Sequence, residues 1–129
     1  MPLPPEYYNT IFLLEDPPSP LPSPFAIITA WNPMDEVTPP EENERRDEEL
    51  RMLLEVRQIP YFRATGCSPD LAHREPGWAI SVAADLAMEI ARAFRQRGLW
   101  RVEEQRLWLV DCADGRGEDI ASFSERLRS

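Results

Sequence analysis

The sequence predicts an α+β fold: a ferredoxin-like split βαβ sandwich with a βαββαβ core, an extra N-terminal strand and a C-terminal β-hairpin extension. Three observations carry that expectation. The run Phe25-Ala-Ile-Ile-Thr-Ala-Trp31 is apolar and β-branched and stops at Asn32-Pro33, the mark of a buried strand with a polar tip. Two later stretches, 38–58 and 83–97, space their apolar residues as helices do. Short strand-like runs between and after them complete the order β, β, α, β, β, α, β, β.

Taken in order, Tyr7-Tyr-Asn-Thr-Ile-Phe-Leu-Leu14 reads as an edge strand. Eight of the 14 prolines fall in the first 24 residues, so Pro17-Pro-Ser-Pro-Leu-Pro-Ser-Pro24 is an extended connector of polyproline character. No basic residue flanks it to orient it as an SH3-type ligand. After the strand at 25–31, Thr38 is expected to cap a helix, with Pro39 in its first position and Glu41 completing a capping box. That helix should end near Gln58, before Pro60. Its apolar stripe of Leu50, Leu53 and Leu54, followed backwards in steps of three or four, reaches Arg46 and Asn43. The first two turns therefore point polar groups at the body of the domain, although Glu42 and Arg46 also stand at pairing distance along the helix.

A strand at 61–65, a loop at 66–76 and a strand at 78–82 come next. The second helix carries Leu86, Ile90, Ala93 and Phe94 on one face, with Gly98 as its stop. Strands at 99–103 and 106–112 should meet in a tight turn at Glu104-Gln105. Turn residues at 114–117 precede a short helix whose Ile120, Phe123 and Leu127 share a face. The whole chain, 1–129, is expected to be one domain: 1–24 edge strand and connector, 25–112 core, 113–129 tail.

Composition narrows the function classes. With 23 acidic against 14 basic residues the formal charge is −9, which disfavours phosphate-backbone binding, so no nucleic-acid partner is expected. No apolar run approaches the roughly 20 residues that span a bilayer, and no basic-then-apolar leader opens the chain. No membrane partner and a cytoplasmic location are the expectations. Cys67 and Cys112 lack metal-ligand spacing and read as small buried hydrophobes of a reducing compartment.

Right-handed crossovers would bring Trp31, Asn32, Asn43, Arg46, Asp70, His73, Glu75 and Gln96 to one rim. Trp31, Asn32, Asn43, Arg46, Glu75 and Gln96 are the candidate ligand-binding residues. Arg46 offers a planar fork for a carboxylate or phosphate, and its competing partners are Glu42 and Glu75. Trp31 could wall a planar or cationic ligand or simply belong to the core. Asn32 before Pro33 could contact a ligand or cap its own backbone. Asp70, His73 and Glu75 are the only candidates for a metal or a general base, and Cys67 with His73 the only nucleophilic pair. Gly-rich phosphate loops, nucleophile elbows and paired CxxC motifs do not occur, so no cofactor is expected.

The same positions carry a resemblance. Thr29-Ala-Trp-Asn-Pro33, then Glu42-Asn43-x-x-Arg46 with Leu50 and Leu54 behind it, resembles a bacterial family called domain of unknown function 3293. Arg74-Glu75-Pro76 and Phe94-Arg-Gln96 fit as well, although that family usually has glycine where Arg95 stands. The likeness covers most of 7–112 and implies the extent of the domain and its rim, not an activity. The expected function is a non-catalytic domain binding a small ligand or protein partner at that rim. Alternatives are a metal-dependent hydrolase or nuclease using Asp70, His73 and Glu75, and an acidic inhibitor or immunity-type protein. An uncovered sheet face would suit a homodimer unless the 118–127 helix covers it.

Overall fold

The computed structural model describes residues 3–128 as one eight-stranded sheet with three α-helices. In chain order these are α1 (Pro5–Asn9), β1 (Ile11–Glu15), β2 (Phe25–Thr29), α2 (Pro40–Val56), β3 (Tyr61–Cys67), β4 (Arg74–Ile80), α3 (Ala84–Ala93), β5 (Gly98–Glu103), β6 (Arg106–Asp111), β7 (Gly117–Ser122) and β8 (Leu127–Arg128). The sheet runs β7-β6-β5-β2-β4-β3-β1-β8, antiparallel throughout except for the short β1–β8 pair.

The two outermost strands, β7 and β8, are joined by only the one-turn 3₁₀ segment Phe123–Arg126. Four to five residues reach at most about 18 Å, so the sheet must curl until its edges approach. Helices α2 and α3 cover the convex face, packing Leu50, Leu54, Ala87, Ile90 and Ala91 on Ile28, Ile80 and Leu99. The concave side holds a second core of Phe12, Phe25, Ile27, Trp100, Leu107 and Phe123. Phe123 meets Phe25 edge-on with ring centroids 5.6 Å apart, a favoured aromatic geometry that seats the segment joining the two edges on the central strand β2. Part of the face expected to lie open to a second copy is therefore covered by the chain itself.

Several expected elements moved, each for a physical reason. The 7–14 strand is split, because Pro4 and Pro5 start a helical turn at Pro5–Asn9 and pairing with β3 begins only at Ile11. Thr38 does not cap α2. Pro39 and Pro40 have no N–H to satisfy, and the Thr38 hydroxyl donates instead to the Glu36 carbonyl at 3.0 Å. The tail helix is reduced to the single 3₁₀ turn Phe123–Arg126: Gly117–Ser122 pairs with β6, and Arg106 grips Asp119 across the strands at 2.7 Å. Three apolar residues at helical spacing were too few to outweigh a free strand edge. The turn at Glu104-Gln105 formed as expected, both residues taking the positive φ that a two-residue hairpin needs.

Helix α3 ends at Ala93 rather than near Arg97. The Gln96 amide donates to the Ala91 carbonyl and the Arg95 amide to the Arg92 carbonyl, each at 3.0 Å, a Schellman closure. Arg95 therefore occupies the left-handed position, φ 57°, that favours glycine and costs another residue about 1 kcal/mol. Glycine would take that conformation without the cost. Gly98 is not a helix stop. It opens β5, where a Cβ would come within 2.9 Å of Leu3 and 3.2 Å of the Tyr7 ring, so its absence lets α1 dock.

Candidate functional site

The end of β2 is fixed by hydrogen bonds that its own sequence supplies. The Thr29 hydroxyl donates to the Pro76 carbonyl at 2.9 Å and accepts the Trp31 amide at 3.0 Å. Asn32 then turns left-handed, φ 46°, a conformation asparagine tolerates better than most residues. Asn43, buried in the second turn of α2, answers it. Its Oδ1 accepts the Asn32 amide at 2.9 Å, and its Nδ2 donates to Asn32 Oδ1 at 2.9 Å and to the Thr38 carbonyl at 3.1 Å. Asn32 Oδ1 also accepts the Thr38 amide, and its Nδ2 donates to Glu75 Oε1 at 3.2 Å. From the other side Gln96 Nε2 donates to the Trp31 carbonyl at 3.1 Å.

Trp31, Asn32, Asn43, Glu75 and Gln96 thus do converge on one rim, although the amide groups are occupied with one another. The polar continuation of the α2 stripe is the reason: Asn43 is only 2% exposed and faces the body. Arg46 pairs with Glu42 at 3.3 Å on its own helix, not with Glu75. Its Nε and Trp31 Nε1 are buried without a partner among the described residues.

The Asp70, His73 and Glu75 trio is not assembled. Asp70 Oδ1 accepts the Ser68 hydroxyl at 2.6 Å and the Ala72 amide at 3.0 Å, contacts that hold its carboxyl below the usual range. His73 is exposed, with its amide on Ser68. Among the described residues no group of three His, Cys, Asp or Glu is arranged to hold a metal. The Cys67 thiol is pushed up by burial, the opposite of an activated nucleophile.

What the rim does hold up is Glu75, and Glu75 faces a cleft. Strand alternation puts Ile27 and Thr29 of β2, Ala64 and Gly66 of β3, Glu75 and Gly77 of β4, and Trp100 of β5 on the concave face. Two glycines in that set leave the floor open. The space forms two cavities of about 220 and 370 Å³ that share Glu6, Thr10, Glu75 and Trp100. Tyr7 and Asp35 bound the outer one. Tyr7 stacks on Trp100 with centroids 5.6 Å apart, and the Trp100 indole donates to the Tyr7 carbonyl at 3.2 Å. The Tyr7 hydroxyl donates to Asp35 Oδ1 at 2.7 Å, while Asp35 Oδ2 takes Arg97 at 3.0 Å.

Electrostatically this is an acidic pocket with aromatic walls. Burial pushes the Glu75 carboxyl above its usual range, partly offset by the Asn32 amide and reinforced by the charge of Asp35. Burial first, then the bond to Asp35, raises the Tyr7 phenol, which stays a neutral donor. Because the folded state holds the Glu75 proton more tightly than the unfolded chain, its contribution to stability is fully present below about pH 4 and declines as pH rises through the raised value. Glu75→Gln keeps an oxygen for Asn32 and removes the charge. Thermal melts across pH 4 to 8 should show the variant gaining on the parent as pH increases; parallel curves would contradict the shift.

Sequence reasoning missed Tyr7, Thr10 and Trp100, because all three fall within the stretches read as strands, 7–14 and 99–103. The available signal was parity: once β4 and β5 are in register with β2, Glu75 and Trp100 fall on one face beside Gly66 and Gly77.

The sequence profile of the family described as "Protein of unknown function (DUF3293)" matches residues 28–99, more than half of the chain. That span holds Asn32, Asn43, Glu75 and Gln96. No curated protein and no solved structure matches.

Proposed function

The chain belongs to the DUF3293 family, and on that premise we propose that it is a non-catalytic binding domain that takes a small organic cation, an amine, in the cleft beside Glu75. One observation carries this reading: a half-buried carboxylate faces two cavities, and among the described residues Asn32 is its only side-chain hydrogen-bond partner. An ammonium donor supplies what such an oxygen lacks, through a charge-assisted hydrogen bond. Trp100 and Tyr7 add faces that attract cations. Asp35 and Glu6 reinforce the sign of the field.

Residues 25–103 are read as a ferredoxin-like split βαβ unit, supported by the strand order β5-β2-β4-β3 at the centre of the sheet. In that arrangement the Asn32–Asn43–Gln96 network is scaffolding that positions Glu75, and the ligand lies on the opposite face from α2 and α3. The described residues include no helix long and apolar enough to cross a membrane.

Titrating ¹⁵N-labelled protein with n-butylammonium tests the location. Amide shifts should concentrate at Thr10, Thr29, Gly66, Glu75 and Gly77, with the Trp100 indole moving alongside. Shifts confined to the exposed acidic side of α2, or none, would overturn the reading.

A further inference from the structure

Across the Tyr7–Asp35–Arg97 wall lies a second cleft of opposite character. Three arginines within six residues, Arg92, Arg95 and Arg97, line a cavity of about 490 Å³ together with Met34 and Asp111. In a chain of net charge −9 this is an unusual local excess of guanidinium.

Each arginine is held differently. Arg92 donates through Nε to the Cys112 carbonyl at 2.7 Å, which fixes the plane of its fork and leaves both terminal nitrogens without a protein partner among the described residues. Arg97 uses one terminal nitrogen on Asp35. Arg95 has no side-chain hydrogen bond or ion pair among the described residues, yet its backbone is kept in the strained left-handed position. The Met34 amide donates to the Arg95 carbonyl at 2.8 Å, locking that turn against the β2–α2 corner. The field at the end of a helix favours a cation there, but Arg92 in the last turn already meets that need. The helix closure sets the Arg95 backbone, and glycine would meet it at less cost, so the turn itself does not call for an arginine side chain.

We propose that this cleft binds a phosphate monoester of a small molecule. A phosphate carries close to two negative charges and three acceptor oxygens, which matches the two terminal nitrogens of Arg92, the whole fork of Arg95 and the remaining edge of Arg97. The volume lies in the range of small-molecule sites, and the exposed Met34 side chain gives the organic part an apolar surface. Asp111 and Asp35 oppose the anion, so three guanidiniums face two carboxylates. The Asp111 carboxylate is turned onto the Ala113 amide at 2.8 Å. The remaining positive excess is small, and binding rests on the geometry of the forks as well as on charge.

The test is titration of the full chain with phenyl phosphate, with inorganic phosphate and benzoate alongside, following the arginine Nε–H signals and the heat of binding. Phenyl phosphate should bind at least about tenfold more tightly than benzoate, with Arg92 and Arg95 signals shifting together. Arg95→Gly suits the left-handed backbone, so it should leave the melting temperature unchanged or raised while weakening phenyl phosphate about tenfold or more. Equal binding to parent and Arg95→Gly would overturn the proposal. So would equal affinity for benzoate, or no binding of either phosphate by roughly 10 mM.

Discussion

Replacing Asn43 with alanine is expected to lower stability by about 3 kcal/mol and the melting temperature by roughly 10 °C. The Asn43 side chain makes three internal hydrogen bonds at a position closed to water. Truncation strands the Asn32 amide and the Thr38 carbonyl in a site where Asn43 itself is only 2% exposed. Each orphaned buried group costs about 1–3 kcal/mol, and the lost volume adds to that. Asn43→Asp separates the two contributions. It keeps the volume and the acceptor for the Asn32 amide, but sets an oxygen against Asn32 Oδ1 and the Thr38 carbonyl. The aspartate should be at least as damaging as the alanine, and urea denaturation with an unchanged slope would show it. An aspartate close to wild type would mean that the network does not hold the corner.

Gly77→Ala is the second large effect, about 3 kcal/mol or more. An added Cβ would lie 2.8 Å from the Ile28 carbonyl oxygen and 3.1 Å from that of Ala64, backbone atoms of the two strands flanking β4. Neither can retreat without breaking the centre of the sheet. Gly66, on the same face, makes the contrast. Its Cβ would meet only the Thr10 methyl at 3.3 Å and the Phe12 ring at 3.9 Å. Gly66→Ala should therefore fold with a loss under about 1 kcal/mol while narrowing the cleft. Comparable losses at the two positions, read from chemical denaturation, would contradict the assignment of Gly77 as a close-approach glycine.

The elements that could be read from sequence were those whose signals are local. Strand β2, both long helices and the Glu104-Gln105 turn follow from periodicity and turn chemistry within a few residues. The rim was legible for a related reason: a helix stripe that turns polar at Asn43 has to face something, and the nearest polar strand tip is Asn32-Pro33. Arg63 was not legible. It stacks 3.6 Å over Trp78 and grips Asp47 of α2 with two bonds of 2.9 Å, a tie that exists only once three elements are assembled. The tail and the N-terminal turn failed for the same reason. Their structure is set by which sheet edge is free and by the space above Gly98, and neither is written in their own residues. Glu75 was singled out from the sequence as a rim residue, but its surroundings were not, because the curl of the sheet decides which residues share its side.

Calorimetric titration of n-butylammonium into the parent and into Glu75→Gln at pH 7 tests the central claim most directly. A dissociation constant on the order of 1 mM or tighter is expected for the parent, with a loss of at least about tenfold in the variant and no fall in its melting temperature. Equal affinity in the two proteins, or no binding by the parent, would contradict an amine site at Glu75.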